Sequence, residues 1–285
     1  MRCNLILLLS CSIFFLSCGP EKTTKKIFDV HLHGHKDVPG QLQTLEHAGV
    51  QTAAVSTSWN LQNSYRGKTT IRLLYGLMVP CPNGKVPYSQ QSCFEDGKEW
   101  PDINWVEQQI REKKIDFLGE VLSQYYGISS SDSLLFPYYA LAEKYDLPVG
   151  IHTGSAGADH GAPNFKEEMG NPFLLKPLLL KFPKLHVWIM HAGGPFLEET
   201  VAVMKEFPQV YTDISAVNNP EILPPKQFQI FMKTLINAGL EDRIMFGSDN
   251  AEIKTMIASV DQLDFLTIKQ KEKIFYKNAE VFFKQ

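Results

Sequence analysis

Short apolar runs alternate with longer amphipathic stretches along the chain from Ile27 onward. Eight runs have strand length and near-continuous hydrophobicity: Ile27 to His33, Val50 to Ser56, Leu73 to Val79, Ile115 to Val121, Pro148 to His152, Leu185 to His191, Val210 to Asp213 and Arg243 to Gly247. Strands buried on both faces look like this, and parallel neighbours need a helical crossover between them. Helical spacing fills most of the intervals: Gly40 to Ala48, Asn104 to Lys113, Leu134 to Tyr145, Pro172 to Phe182, Phe196 to Phe207, Pro225 to Ala238, Glu252 to Phe265 and Glu272 to Phe283. Eight such units in about 250 residues predict an α/β fold of the (β/α)8 TIM barrel type. A doubly wound open sheet is the alternative, but no G-x-G-x-x-G opens the first unit. Without a linker, repeat or low-complexity run after residue 26, residues 27–285 make one domain.

The first residues break the pattern. Arg2 precedes an apolar stretch of twelve residues from Leu5 to Leu16, followed by Ser17-Cys18 and a polar run. Twelve residues fall short of the roughly 20 that span a bilayer as a helix, so the segment is expected to be a signal rather than an anchor. It is similar to a bacterial lipoprotein signal, which implies residues 1–17 as signal peptide, Cys18 as the lipidated residue and residues 18–26 as a tether. The expectation is an exported protein of the bacterial cell envelope, held to a membrane by its lipid.

That processing also sorts the cysteines. Cys3 and Cys11 leave and Cys18 is lipidated, so Cys81 and Cys93 remain as a pair in an oxidising compartment and are expected to form a disulfide. The chain is 44% hydrophobic with 28 Lys+Arg against 31 Asp+Glu, a net charge of -3, which suits a globular domain and argues against nucleic acid as a partner. The pattern prescribes no oligomeric state.

Four of the eight histidines, His31, His33, His152 and His191, stand at the last positions of predicted strands. In a barrel these positions ring the C-terminal mouth, where catalytic groups gather. His31 and His33, two apart on a strand, share a face and can chelate one ion together. Glu120 ends the fourth run and Asp249 follows the eighth, giving six metal-competent groups on one rim. Each has a structural alternative: His152 as a satisfied core histidine, Asp249 as a helix cap. Their conjunction points to a divalent metal.

Asp29-Val30-His31-Leu32-His33, Gly119-Glu120, Gly150-Ile151-His152-Thr153-Gly154, Met190-His191-Ala192-Gly193, Phe246-Gly247-Ser248-Asp249 and the late Asn278-Ala279 resemble the strand-end motifs of the amidohydrolase superfamily, in its amidohydrolase-related branch. The resemblance implies His31, His33, His152 and Asp249 as ligands, His191 as a second-metal ligand or an electrophile, and Glu120 as a bridge or an outer partner. Hydrolases, lactonases and decarboxylases share this branch. One or two ions would serve, and imidazole with carboxylate suits Zn2+, which lowers the pKa of its water to about 7.

The expected activity is hydrolysis of an amide, lactone or ester carbonyl in a small-molecule substrate, with metal-bound hydroxide as nucleophile, Asp249 as general base and His191 stabilising the oxyanion. Decarboxylation of a small carboxylic acid, or mere ligand capture by a non-catalytic lipoprotein, are the alternatives. Trp59, Arg66, Tyr125 and His160 are candidate substrate contacts in the loops after strands two, four and five, Arg66 as receiver of a carboxylate. Asp29 is expected on the inward face of His31 but deeper, and Asn278 as the cap of the last helix.

Overall fold

A computed structural model describes residues 25–155 and 159–284; the signal segment and Cys18 lie outside them. Eight parallel strands run in chain order, β1 (Ile27–His33), β2 (Val50–Ser56), β3 (Arg72–Val79), β4 (Phe117–Val121), β5 (Val149–Ile151), β6 (Val187–Ile189), β7 (Val210–Asp213) and β8 (Ile244–Met245). The ring closes between β8 and β1: Val30 N–H donates to the Phe246 carbonyl at 3.0 Å and Ser248 N–H to the His31 carbonyl at 3.2 Å. Helices fill the connections, so the fold is the TIM barrel that the alternation predicts. Among the described residues no helix is long and apolar enough to cross a membrane.

Two packed layers arise from side-chain alternation. Outward residues such as Ala53, Leu77, Leu118, Val149, Val187 and Ile244 join Leu45, Leu178 and Met232 of the surrounding helices in one core. Phe28, Val30, Leu74, Phe117, Trp188 and Met245 fill the barrel interior, and Phe282 of the last helix plugs its N-terminal end. Fully burying side chains of this size is worth roughly 1.5–3 kcal/mol each. The barrel floor is therefore a packed base on which the polar mouth stands.

Two strands depart from simple alternation directly beneath the mouth. On β1, Asp29 pairs with Ala53 and Leu32 with Val55, so three steps on β1 answer two on β2. On β4, Leu118 pairs with Val149 and Val121 with Ile151, again three steps against two. Each extra residue is a β-bulge that reverses the facing of the residues beyond it. Phe28 and Val30 face the interior below the bulge, and His31 and His33 face it above. Likewise Phe117 packs on Trp188 inside the barrel at 5.5 Å while Glu120, three residues on, also points inward.

The bulge corrects the expectation for Asp29. It lies on the opposite face from His31, where its carboxylate accepts from Ser248 N–H at 3.0 Å and His31 N–H at 3.2 Å. Asn278 is no cap: it sits inside a continuous helical run and its side-chain amide donates to the Glu241 and Ile244 carbonyls at 2.8 and 2.7 Å. It ties the C-terminal helix to the start of β8. Nor does Asp249 cap the following helix, since Glu252 accepts from Lys254 and Thr255 N–H there.

Candidate metal centre

His31 and His33 reach the centre from β1, Glu120 from β4, and His152 and His191 stand one and two residues past β5 and β6. Asp249 follows β8 by four residues. His191 and Asp249 hold left-handed backbone with φ of 59° and 57°. That conformation costs non-glycine residues of order 1–3 kcal/mol and is found where a site over-determines the backbone. Gly247 permits a close approach: a Cβ there would stand 2.9 Å from the His31 Cβ and 3.0 Å from the Ser215 Cβ.

Glu120 is the hub. The Nε2 atoms of His31, His152 and His191 lie 3.9, 3.8 and 3.7 Å from its Oε1, and that of His33 lies 3.3 Å from its Oε2. Asp249 Oδ1 is 3.0 Å from His33 Nε2. All but Asp249 are buried, and its side chain, 22% exposed, is the one that solvent reaches. None of the hydrogen bonds or ion pairs of these six, among the described residues, involves a Lys or Arg.

The other ring nitrogen of every histidine has an acceptor. His31 Nδ1–H donates to Asp213 Oδ2 at 3.1 Å, His33 Nδ1–H to the Ser56 carbonyl at 3.3 Å, His152 Nδ1–H to Gln124 Oε1 at 2.7 Å, and His191 Nδ1–H to the Ser215 hydroxyl at 3.0 Å. The tautomer is assigned by this network: a proton on Nδ1 leaves the Nε2 lone pair facing inward. Outer partners of this kind orient and polarise imidazoles that ligate metals.

Burial and charge act against each other here. Burial disfavours the Glu120 carboxylate, but the surrounding imidazoles more than offset it and hold its pKa down to about 2. Burial likewise opposes a charged His191, yet Glu120, Asp249 and Asp213 lift it to about 9. His152 is dominated by burial and falls to about 3. Asp249 is held below the carboxylate range: the desolvation it suffers at the rim of the centre is outweighed, chiefly by His33. Asp29, away from the hub, is raised to about 6 by burial.

These donors fit a cation. His31 Nε2 is buried without a hydrogen-bond partner. Leaving such an atom unsatisfied costs about 1–3 kcal/mol. His31, His33 and Asp249 form one group with ligand atoms within 4.8 Å of one another, and His31, Glu120 and His191 form another. Imidazole nitrogen with carboxylate oxygen is the donor set of first-row divalent ions.

A family model described as amidohydrolase matches residues 117–285, more than half of the chain. The chain belongs to the amidohydrolase family. No curated protein matches this amidohydrolase in sequence. Among solved structures, an uncharacterized TIM-barrel protein from Bordetella bronchiseptica superposes with a TM-score of 0.63 at 17% identity, covering 90% of this chain and 98% of that one. A probable 2-pyrone-4,6-dicarboxylic acid hydrolase from Acinetobacter baumannii gives 0.60 at 12% identity, covering 91% and 99%. A 5-carboxyvanillate decarboxylase from Novosphingobium aromaticivorans, complexed with manganese, gives 0.57 at 15% identity, covering 86% and 80%. At these identities the three share the fold, and the two with a named activity differ in chemistry.

The remaining sequence candidates separate. Tyr125 is at the amidohydrolase's centre, its ring 4.9 Å from His152 and its hydroxyl 3.5 Å from His152 Nε2. His160, exposed, lies 6.0 Å from Tyr125 by ring centroids. Arg66 does not face the mouth: its guanidinium donates to the Lys114 carbonyl at 2.9 Å, just before the N-terminal end of β4, and stacks on Tyr75, midway along β3, at 4.1 Å. Trp59 turns outward against Trp105, in a groove whose lining includes none of the six central residues. Neither is in place to touch a substrate at the centre.

Cys81 and Cys93 are bonded, with Cα atoms 6.3 Å apart. The structure adds Asp213, Ser215, Gln124 and Tyr88 to the site. Asp213 and Gln124 had legible positions, at the end of β7 and just past β4. Tyr88 lies in the disulfide loop, where nothing in the pattern marks it.

Proposed function

We propose that this amidohydrolase is a metal-dependent hydrolase that cleaves the C–N or C–O bond at a small molecule's carbonyl. The supporting observation is the set of four imidazoles, each anchored through Nδ1, whose Nε2 atoms converge on Glu120. His31, His33, His152, Asp249, Glu120 and His191 are the groups that would hold the ion. Zn2+ suits them, as does the manganese carried by one solved relative. Bound there, a divalent ion supplies Lewis acidity, polarising a carbonyl and lowering the pKa of water to about 7.

The residues divide the remaining work. Asp249 is ionised and reaches solvent, so it takes the proton from the attacking water and returns it to the leaving group. His191, which Glu120, Asp249 and Asp213 keep protonated in the metal-free chain, would give up its Nε2 proton to hold the ion. Tyr125 and His160 border the mouth and contact the substrate. His31 has a single free nitrogen, since Nδ1 belongs to Asp213, so the two ligand groups that share it favour one ion.

Decarboxylation would call for a cation gripping the substrate's carboxylate, and Arg66, the candidate, is turned away. Asp249→Asn tests the assignment: turnover of esters, lactones or amides falls at least a hundredfold with metal retained, the size expected for a general base. Near-wild-type turnover with metal bound refutes it. A screen in which only carboxylic acids are consumed, releasing carbon dioxide, replaces hydrolysis by decarboxylation. Export and lipidation at Cys18 belong to the same proposal, resting on the Leu5 to Leu16 stretch, and acyl mass on a Cys18 peptide tests them.

A further inference from the structure

The loop after β3 is a strap laid across the barrel mouth. Cys93 N–H donates to the Gly84 carbonyl at 2.9 Å, Val86 N–H to the Gln91 carbonyl at 2.8 Å, and Lys85 bridges Ser92 antiparallel, so the segment is a small hairpin. The Cys81–Cys93 disulfide staples its base, and Gln90 Nε2 at its tip donates to the His160 carbonyl at 3.1 Å. Tyr88 hangs from that tip. Its ring lies on the His33 ring with centroids 3.9 Å apart, and its hydroxyl donates to the Ser56 carbonyl at 3.1 Å.

That carbonyl is the acceptor that sets the His33 tautomer. It also accepts from His33 Nδ1 at 3.3 Å and from Gly34 N–H at 3.2 Å. With three donors on two lone pairs, the Tyr88 hydroxyl adds little to the carbonyl, whereas the ring blocks the space into which His33 would rotate. His33 has the weakest Nδ1 anchor of the four, a main-chain oxygen at 3.3 Å, against 2.7 Å for His152. It needs a second restraint, and the ring is placed to supply it.

We infer that Tyr88 is a positioning residue for His33, and that the Cys81–Cys93 disulfide acts on the metal centre through it by holding the strap down. The inference rests on the proposal that His33 ligates an ion. Reducing the disulfide frees the strap, releases Tyr88 from His33 and loosens one ligand of the centre.

The test uses the full chain stripped of metal, with Zn2+ alone as probe. Zinc affinity is read by competition with a chromophoric chelator, and the His33 tautomer by long-range nitrogen–proton NMR on the metal-free chain. Tyr88→Phe is expected to match wild type. Tyr88→Leu and the Cys81→Ser/Cys93→Ser pair are each expected to weaken zinc binding about tenfold, the lower end for loss of an outer partner, and to mix the His33 tautomers while His152 keeps its Nδ1 proton. Combined, they are expected to weaken it no further than Tyr88→Leu alone.

Wild-type affinity and an unchanged His33 signal in Tyr88→Leu overturn the positioning role. Additive losses in the combined variant overturn the link through Tyr88. Should the wild-type chain bind no zinc, the proposed function fails, yet the His33 tautomer in the metal-free chain still decides the positioning role.

Discussion

Asp213→Asn is the most informative single substitution in this amidohydrolase, because it alters one atom of a buried carboxylate that organises two histidines. Asp213 Oδ2 accepts from His31 Nδ1 at 3.1 Å and Trp188 Nε1 at 3.2 Å. Oδ1 accepts from the N–H groups of His191 and Ser215 at 3.0 and 2.9 Å and from the Ser215 hydroxyl at 2.6 Å. An asparagine oxygen can keep the three Oδ1 bonds only by turning its NH2 toward His31 and Trp188. Two donors then face a donor. His31 relieves its part by moving its proton to Nε2, which removes the lone pair that faces the centre; Trp188 is left unsatisfied.

Loss of an outer partner typically costs 10–100-fold in metal affinity, about 1.4–2.8 kcal/mol. The stranded indole N–H adds about 1–3 kcal/mol of lost fold stability. Zinc titration against a chelator reads the first and denaturant unfolding of the metal-free chain the second, while nitrogen–proton NMR reports the His31 tautomer directly. Zinc binding within about twofold of wild type, with His31 still protonated on Nδ1, would refute the tautomer argument.

Zinc binding should release protons. In the metal-free chain the His191 pKa is raised from 6.5 to about 9, so its charge stabilises that state fully below 6.5 and ceases to as pH rises through about 9; zinc affinity climbs over the same window. Calorimetry at about pH 7.5 in two buffers of different ionisation enthalpy should show nearly two protons released per ion, one from His191 and most of one from bound water with a pKa of about 7, and a release of about one or less would exclude His191 as a ligand. Cys81→Ser/Cys93→Ser should lower stability by about 3 kcal/mol in denaturant unfolding, from the entropy of the loop it opens. An unchanged midpoint would show that the hairpin bonds alone hold the strap. Gly247→Ala should drive a methyl into His31 and Ser215, at a cost of about 1–3 kcal/mol, and lower zinc affinity more than Gly239→Ala, whose added Cβ meets nothing within 4 Å. Equal affinities would mean the His31 side has room to give.

Much of the centre was legible because a parallel barrel strand leaves its end at the mouth. His31, His33, His152 and His191 stand at or just past strand ends. The apolar runs overstate the strands: β6 stops at Ile189, two residues before His191, because the chain there turns into left-handed backbone and leaves the ladder. Arg66 and Trp59 were misplaced by the assumption that a loop after a strand stays at the rim. In fact Arg66 lies over the Tyr75 ring and Trp59 meets Trp105 edge to face, and these contacts hold both side chains on the flank. Tyr88 was invisible because a lone tyrosine in a Pro/Gly-rich loop carries no periodicity.

The linear pattern by itself determined the eight-unit barrel and the chemical kinds of its rim, since burial on both faces forces continuous apolar runs and a helix must return each parallel strand. Only the tertiary structure decided which side chains meet. The bulges on β1 and β4 reverse the facing of His31, His33 and Glu120 relative to the residues below them, and no alternation in the sequence announces one extra residue in a ladder. Pairing register is a relation between strands distant in the chain, so it is set by packing, and with it the Nε2 atoms turn toward Glu120 while Asp29 turns away.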